Sequence, residues 1–144
     1  MASRVQLALN VSDIDAAVAF YERLFQTAPA KREPGYANFA IADPPLKLVL
    51  IENRDASARL NHLGVEVFEQ AAVAAAHERL ASQGLPVIVE ESTSCCYAVQ
   101  NKVWVTDPDG APWETYVVLD NADAMGACSA DGSPCGCADG SSCG

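Results

Sequence analysis

The sequence predicts an α+β fold in which two tandem β-α-β-β-β modules pair to form one concave mixed sheet. Two observations support this prediction. The apolar alternation of Val5–Val11 returns 56 residues later in Asn61–Val67, and the helical segment Ala16–Leu24 returns as Ala71–Leu80. Because neither copy is large enough to close a core alone, we expect the two sheets to lie side by side around a shared face.

The first module begins with a strand and a helix. Val5–Val11 has the period of two that is typical of strands, and Ser12 and Asp13 then offer an N-cap for a helix over Ile14–Phe25. The apolar residues of that helix recur three and four positions apart, which gives it one face for a sheet. Two or three further strands complete this module, and two of them are expected at Tyr36–Ile41 and Leu46–Ile51.

The second module repeats this order. Its helix is expected to close at Gly84, because glycine suits the left-handed backbone that often caps a helix. Its later strands are expected at Pro86–Glu90, Lys102–Thr106 and Trp113–Leu119. One domain therefore covers residues 1–119, with module one at about 4–52 and module two at about 60–119.

A tail of different composition, residues 120–144, follows the second module. It holds five of the nine glycines and almost no large apolar side chain, so it cannot bury enough surface to order itself and is predicted to be flexible. Metal scavenging, product release and an inert end remain open as roles for its cysteines. These are Cys128, Cys135, Cys137 and Cys143.

Composition and charge exclude several kinds of partner. The formal charge of -10 and the nine scattered Lys and Arg residues argue against nucleic acid and against an anionic membrane surface. No apolar run is long enough to span a membrane, and the start lacks the layout of a signal peptide, so we expect a cytoplasmic protein. Of the six cysteines, two are adjacent and four crowd the last seventeen residues. In a reducing compartment such cysteines favour soft ions or redox chemistry over a disulfide framework.

One carboxylate lies among aromatic residues on a predicted strand. Glu114 stands beside Trp113 and close to Tyr116, and burying an unpaired carboxylate costs on the order of several kcal/mol. We therefore expect a positive partner on Glu114, and we infer that this partner is a metal ion.

Gln6 and His62 occupy equivalent positions at the start of the two modules. Paired modules would bring them toward Glu114, and three protein ligands leave coordination positions open, as in catalytic divalent-metal sites. This set approximates the triad of two histidines and one carboxylate in Fe(II) oxygenases, with Gln6 in place of one histidine. No acidic residue lies in the matching strand Leu46–Leu50, so one site per chain is predicted. His77, the other histidine, is interpreted as a solvated helix residue.

Cys95 and Cys96 form an adjacent pair that allows two interpretations. Free cysteine is among the most buried residue types, so the pair could belong to the core. Neighbouring strand residues face opposite ways, so both thiols can hold one ligand only in a loop or a bulge, and Ser92–Ser94 favours a loop. In that case the two thiols suit a soft centre such as trivalent arsenic or a heavy-metal cation.

The two modules, the motif VSD at residues 11–13, FY at 20–21, and DPDG at 107–110 running into Glu114 together resemble the vicinal oxygen chelate superfamily. That superfamily includes glyoxalases, extradiol dioxygenases and antibiotic-binding resistance proteins. Within it, NHLG at 61–64, TSCCYA at 93–98, KVWVTDPDG at 102–110 and WE at 113–114 resemble the carbon-arsenic lyases, also named cadmium-induced proteins. The resemblance covers about Arg4–Leu119.

The resemblance implies the vicinal oxygen chelate fold and a non-haem Fe(II)-dependent dioxygenase. Such an enzyme uses molecular oxygen to cleave the carbon–arsenic bond of trivalent organoarsenicals, for example methylarsenite or aromatic arsenicals, and releases arsenite. Gln6, His62 and Glu114 match the metal positions, although many members have histidine in place of Gln6, and Cys95 and Cys96 match the arsenic-binding pair.

Two alternatives stay open at the level of sequence. A glyoxalase-like isomerase would need the metal but not the thiols. A protein that sequesters heavy metals or drugs would need cysteines or a pocket but no open metal site. In each case we expect a small-molecule ligand and a monomer or homodimer.

Overall fold

The computed structural model describes residues 3–95 and 97–121, which form eight strands and two helices. The elements of the first module are β1 (Ser3–Val11), α1 (Ile14–Phe25), β2 (Lys31–Glu33), β3 (Tyr36–Ile41) and β4 (Leu46–Glu52). Those of the second are β5 (Leu60–Val67), α2 (Gln70–Ser82), β6 (Ile88–Cys95), β7 (Ala98–Thr106) and β8 (Pro112–Asn121).

All eight strands belong to one mixed sheet with the order β2-β3-β4-β1-β5-β8-β7-β6. Each module contributes four neighbouring strands, and the modules meet where β1 runs antiparallel to β5. Leu7 lies opposite Leu63 at this seam, while Gln6 lies opposite Gly64 and Ala8 opposite His62. An approximate two-fold axis at this seam therefore relates residues of β1 to the residues 56 positions later in β5. This arrangement confirms the predicted α+β fold of paired modules.

Both helices pack on one face of the sheet. In the first module, Ile14 and Val18 of α1 join Phe39 and Leu48 in a buried cluster. In the second, Val73 of α2 and its neighbours pack against β5, β7 and β8. Residues that alternate with these along the strands point to the opposite, concave face, because successive strand side chains face opposite ways.

The two edges of the sheet approach each other across the concave face. Lys31 on the edge strand β2 donates a hydrogen bond of 2.8 Å to the backbone carbonyl of Tyr97, which follows β6. The rings of Tyr36 and Tyr97 lie 5.1 Å apart. The sheet is thus curled enough for one module to contact the far hairpin of the other.

Helix α1 has the bounds and the cap that the sequence predicts. Asp13 accepts a hydrogen bond of 3.1 Å from the backbone N–H of Ala16, and Glu52 on β4 accepts one of 2.9 Å from that of Ile14. Two otherwise unpaired amides at the start of the helix are satisfied in this way, and acidic groups at this end also favour the helix dipole.

The expectation of a loop over Ser92–Ser94 is wrong. Strand β6 continues through these residues to Cys95, with a register shift between Glu90 and Thr93. Ser92 has a positive φ of 49°, and its backbone N–H donates to the Asn101 side chain at 2.6 Å. Polar residues are tolerated here because β6 is an edge strand, and the irregularity is a bulge of the kind common at edges.

Strand β8 ends at Asn121, so Asp120 belongs to the sheet and pairs with Val99. The other residues of the predicted tail, 122–144, lie outside the described residues, and its four cysteines lie there with them. Among the residues that the structure does describe, no helix is long and apolar enough to cross a membrane.

Candidate functional site

The centre of the concave face brings Gln6, His62 and Glu114 together. Gln6 lies opposite Gly64 across the β1–β5 seam, and Gly64 lies opposite Glu114 in the parallel β5–β8 pair. The amide Nε2 of Gln6 is 3.1 Å from His62 Nε2 and 3.0 Å from Glu114 Oε1, and the last two atoms are 3.8 Å apart. All three side chains are 2–4 % exposed.

A chain of side-chain amides orients His62. Its Nδ1 lies 2.6 Å from Asn61 Oδ1, and Asn61 Nδ2 donates in turn to Asn10 Oδ1 at 3.1 Å. Because an amide oxygen can only accept, Nδ1 carries the proton and Nε2 keeps its lone pair toward Gln6 and Glu114. Burial lowers the pKa of His62 from its usual 6.5, Glu114 opposes this shift and Lys102 adds to it. His62 is therefore a neutral imidazole at neutral pH, the form that binds metals.

The Gln6 amide uses all of its hydrogen-bonding groups. Its Nε2 donates to Glu114 and to the free lone pair of His62, while its Oε1 accepts from the Tyr116 hydroxyl. A half-turn of the amide would reverse this pattern, because Nε2 would then donate to Tyr116 and Oε1 would face the other two side chains.

The positive partner of Glu114 is a lysine. Lys102 on β7 is fully buried, and its Nζ donates to Glu114 Oε2 at 3.1 Å. The ammonium group also lies 5.4 Å from the Trp104 ring centre and 5.7 Å from that of Tyr116. A buried ammonium group therefore already supplies the positive partner that burial of this carboxylate calls for, and a metal ion on Glu114 stays a prediction.

Of the two aromatic residues close to Glu114 in the sequence, Tyr116 shares its face of the sheet, whereas the neighbouring tryptophan is Trp104 and not Trp113. Trp104 lies directly opposite Glu114 in the β7–β8 pair, and Lys102 lies opposite Tyr116. A signal for this arrangement was present in the sequence, because Lys102 and Trp104 alternate along one predicted strand and so share a face. Their pairing with β8 depends on a register that the sequence did not define.

Gly64 makes the close approach of Gln6 and Glu114 possible. A Cβ atom at this position would lie 2.9 Å from Glu114 Cγ, 3.1 Å from the Glu114 carbonyl oxygen and 3.2 Å from Gln6 Nε2. The first contact is shorter than folded proteins show and the other two are unusually tight, so a larger residue would shift the carboxylate or the amide. Sequence analysis missed this role for Gly64.

The hairpin that carries the cysteine pair borders the same face. Strand β6 ends at Cys95, which pairs with Ala98 at the start of β7, while Cys96 lies outside the described residues. Tyr97 has a positive φ of 62° and docks on Tyr36.

A cavity of about 230 Å³ lies between this hairpin and Gln6, because Ala98, Gln6 and Tyr116 all line it. Its polar lining also includes Asn38 and Lys47. A ligand in this cavity would thus be next to Gln6 and next to the residue that follows Tyr97.

His77 is exposed on α2, in agreement with its interpretation as a solvated residue. In the part of the chain that the structure describes, no three His, Cys, Asp or Glu side chains come together. A metal at the centre of the concave face would therefore depend on the amide of Gln6 as its third ligand.

Most of the chain matches a family of known proteins. The family model of the glyoxalase/bleomycin resistance protein/dioxygenase superfamily matches residues 4–115. The chain belongs to this superfamily. The match includes Gln6, His62 and Glu114, and it confirms the family that the sequence motifs indicate.

Two relatives within the superfamily have informative names. A protein of Thermomonospora curvata, named trivalent organoarsenical cleaving enzyme, is 59 % identical over 134 residues, which cover 92 % of this chain and 87 % of that protein. The cadmium-induced protein CadI of Mycobacterium bovis is 58 % identical over 125 residues, or 87 % of this chain and 82 % of that protein.

A solved structure shares the fold at lower identity. The Mn(II)-bound glyoxalase from Novosphingobium aromaticivorans matches with a TM-score of 0.59 and 21 % identity, over 83 % of this chain and 42 % of that one. This similarity supports the paired-module fold of the present chain.

Replacing Gly64 with Ala should disturb the site more than the fold. We expect the Gly64→Ala protein to lose about 1–3 kcal/mol of stability through overpacking, and to bind Co(II) at least about tenfold more weakly, as expected when ligand positions shift. Gly84→Ala is the control, because a Cβ there meets nothing within 4 Å although its φ of 79° is strained. Calorimetric titration with Co(II) measures the affinity of both variants, and thermal unfolding measures their stability. Unchanged affinity in Gly64→Ala would contradict this role of Gly64.

The pKa of His62 predicts a pH dependence of stability. Between the lowered pKa of the folded state and the ordinary value of 6.5, the unfolded chain binds a proton that the folded chain does not. The free energy of unfolding should therefore fall as the pH drops below 6.5, by at most about 1.4 kcal/mol per pH unit from this group. Urea unfolding from pH 8 to pH 5 should show a shallower dependence for His62→Asn than for the exposed-site control His77→Asn. Equal slopes in the two variants would contradict the assignment.

Proposed function

We propose that this protein is an Fe(II)-dependent dioxygenase that cleaves the carbon–arsenic bond of trivalent organoarsenicals and releases arsenite. The observation that carries the proposal is that one cavity is lined both by Gln6, in contact with His62 and Glu114, and by Ala98, which pairs with Cys95 next to the turn of the hairpin. The name of the 59 % identical relative supports the substrate class.

The three side chains fit a divalent metal. Ligand atoms about 2.1 Å from one metal and at right angles lie about 3.0 Å apart, which is close to the 3.0 and 3.1 Å that separate Gln6 from Glu114 and His62. The 3.8 Å between His62 and Glu114 corresponds to a wider angle at the metal. A half-turn of the Gln6 amide would present Oε1, and Tyr116 would then accept from Nε2. Fe(II) held by Gln6, His62 and Glu114 would supply open coordination positions and redox chemistry with molecular oxygen.

The chain's own residues prepare this chemistry. Asn61 fixes the proton of His62 on Nδ1, so that the imidazole offers a neutral lone pair. Glu114 contributes a charged oxygen, and Tyr116 and Trp104 exclude water around it, since both are almost fully buried. A water-poor site strengthens the electrostatic interactions that hold a metal and a substrate.

Cys95 and Cys96 are the proposed arsenic ligands. Methylarsenite carries two hydroxyl groups on arsenic, and each thiol can displace one of them as water. Two arsenic–sulfur bonds then replace two arsenic–oxygen bonds without a change of oxidation state. The turn at Tyr97, directly after the pair, is a departure from regular strand geometry of the kind that two adjacent thiols need in order to hold one atom. Closure of this hairpin would bring the arsenic–carbon bond to the metal, where proximity supplies much of the rate.

The proposal is tested by anaerobic reconstitution with Fe(II), followed by oxygen and methylarsenite. Stoichiometric release of arsenite that requires both Fe(II) and oxygen is expected. Metal-dependent turnover of a thiol-free carbonyl substrate in its place would favour a glyoxalase-like isomerase. Tight binding of methylarsenite without release of arsenite would favour a sequestering protein.

Single serine substitutions test the thiol pair. Cys95→Ser and Cys96→Ser should each weaken binding of methylarsenite by about 100-fold or more, because the second bond of a chelate gains that much from high effective concentration. Turnover should stop while Fe(II) binding persists. Cys143→Ser, in the C-terminal tail, is the matched control and should bind normally. Wild-type affinity in Cys95→Ser or Cys96→Ser, measured by titration, would show that the pair does not hold arsenic.

A further inference from the structure

Lys102 is placed to compete with a metal ion for Glu114. The two oxygens of this carboxylate have separate partners, because Oε1 accepts from Gln6 and faces His62, while Oε2 accepts from Lys102. The oxygen that faces the triad is therefore distinct from the oxygen that holds the ammonium group. A metal on Oε1 and the ammonium on Oε2 would share a single negative charge.

The charges of the site balance without a metal. Glu114 carries one negative charge, Lys102 one positive charge, and His62 is neutral, while Gln6 and Tyr116 contribute dipoles alone. All of these groups are almost completely removed from solvent. A buried pair of this kind persists because the alternative is an unpaired buried charge. A divalent cation would add two positive charges beside an ammonium group that is already present.

We propose that Lys102 is a positioning residue that acts as an internal counter-cation. It holds the Glu114 carboxylate in place before metal enters, limits it to one oxygen toward the metal, and lowers the affinity of the site by like-charge repulsion. This inference rests on the proposed function, because it concerns the same metal site. Removal of Lys102 should therefore increase the affinity of the site for a metal ion.

The location of Lys102 favours this role over one in packing alone. Its Nζ lies near the centres of the Trp104 and Tyr116 rings, whose faces attract a cation. These rings and Glu114 form a box around the ammonium group, so the group has little freedom to leave when a metal arrives. The repulsion is therefore retained in the metal-bound protein and is not relieved by movement of the side chain into solvent.

The test compares Lys102→Met with wild type by competition titration of Co(II) and Mn(II), without arsenical and without oxygen. Methionine has a similar length and no charge. We expect Lys102→Met to bind both ions at least about tenfold more tightly, because unit charges inside a protein interact over several ångströms. The thermal stability of this variant should also depend more strongly on added metal than that of wild type.

Two variants complete the test. Lys47→Met is the matched control, because Lys47 also lines the concave face and lies 3.7 Å from a glutamate, but that glutamate is Glu66. It should leave the affinity unchanged. The double variant Lys102→Met with Glu114→Gln removes both charges, so it should fold and should bind Co(II) more weakly than wild type.

The outcomes separate this inference from the proposed function. If wild type binds no Co(II) or Mn(II), both are overturned. If wild type binds and Lys102→Met binds with equal or weaker affinity, or if Lys47→Met tightens binding equally, the role of Lys102 is overturned while the proposed function stands. Failure of Lys102→Met to fold even with saturating metal would also overturn it, since the metal should then replace the ammonium as partner of Glu114.

Discussion

The ion pair between Lys102 and Glu114 is the interaction on which the concave face depends. Each group would be costly to bury alone, and together they hold one carboxylate oxygen toward Gln6 and His62. The pair joins β7 to β8, and the Gln6 amide joins it to the first module across the seam. Gly64 allows these groups to approach, because it has no side chain at the crossing point. The geometry of the site thus follows from one buried charge pair within a two-fold arrangement of strands.

The approximate symmetry of the modules explains why Gln6 and His62 meet and why the symmetry-related position does not form a second site. The repeat makes Gln6 equivalent to His62, and Ala8 equivalent to Gly64. Gly64 pairs with Glu114 in β8, whereas Ala8 pairs with Val49 in β4. Val49 therefore occupies the position that corresponds to Glu114. The first module therefore offers no carboxylate at this point. Its concave face forms a wall of the neighbouring cavity instead, and it provides the surface on which Tyr97 docks.

Periodicity and repetition predicted most of the fold. Both helices and every strand except the short edge strand β2 follow from patterns within short stretches, which local sequence encodes well. The equivalence of Gln6 with His62 follows from the repeat. Lys102 was not predicted as a partner of Glu114, because it lies in a different strand and strand register depends on tertiary packing. The path of Ser92–Ser94 was assigned incorrectly, because a polar run on an edge strand has the same composition as a loop. Gly64 gave no local signal, since the need for it arises from two distant side chains.

We propose that Gln6, His62 and Glu114 hold one metal beside a cavity that extends to Ala98 in the cysteine hairpin. Anomalous X-ray diffraction from crystals loaded with Co(II), measured on both sides of the cobalt absorption edge, would locate this metal. The expected result is one anomalous peak per chain, at about 2.0–2.2 Å from Gln6 Oε1, His62 Nε2 and a single oxygen of Glu114. A peak elsewhere, or none at this point in protein with a full complement of bound cobalt, would contradict the account.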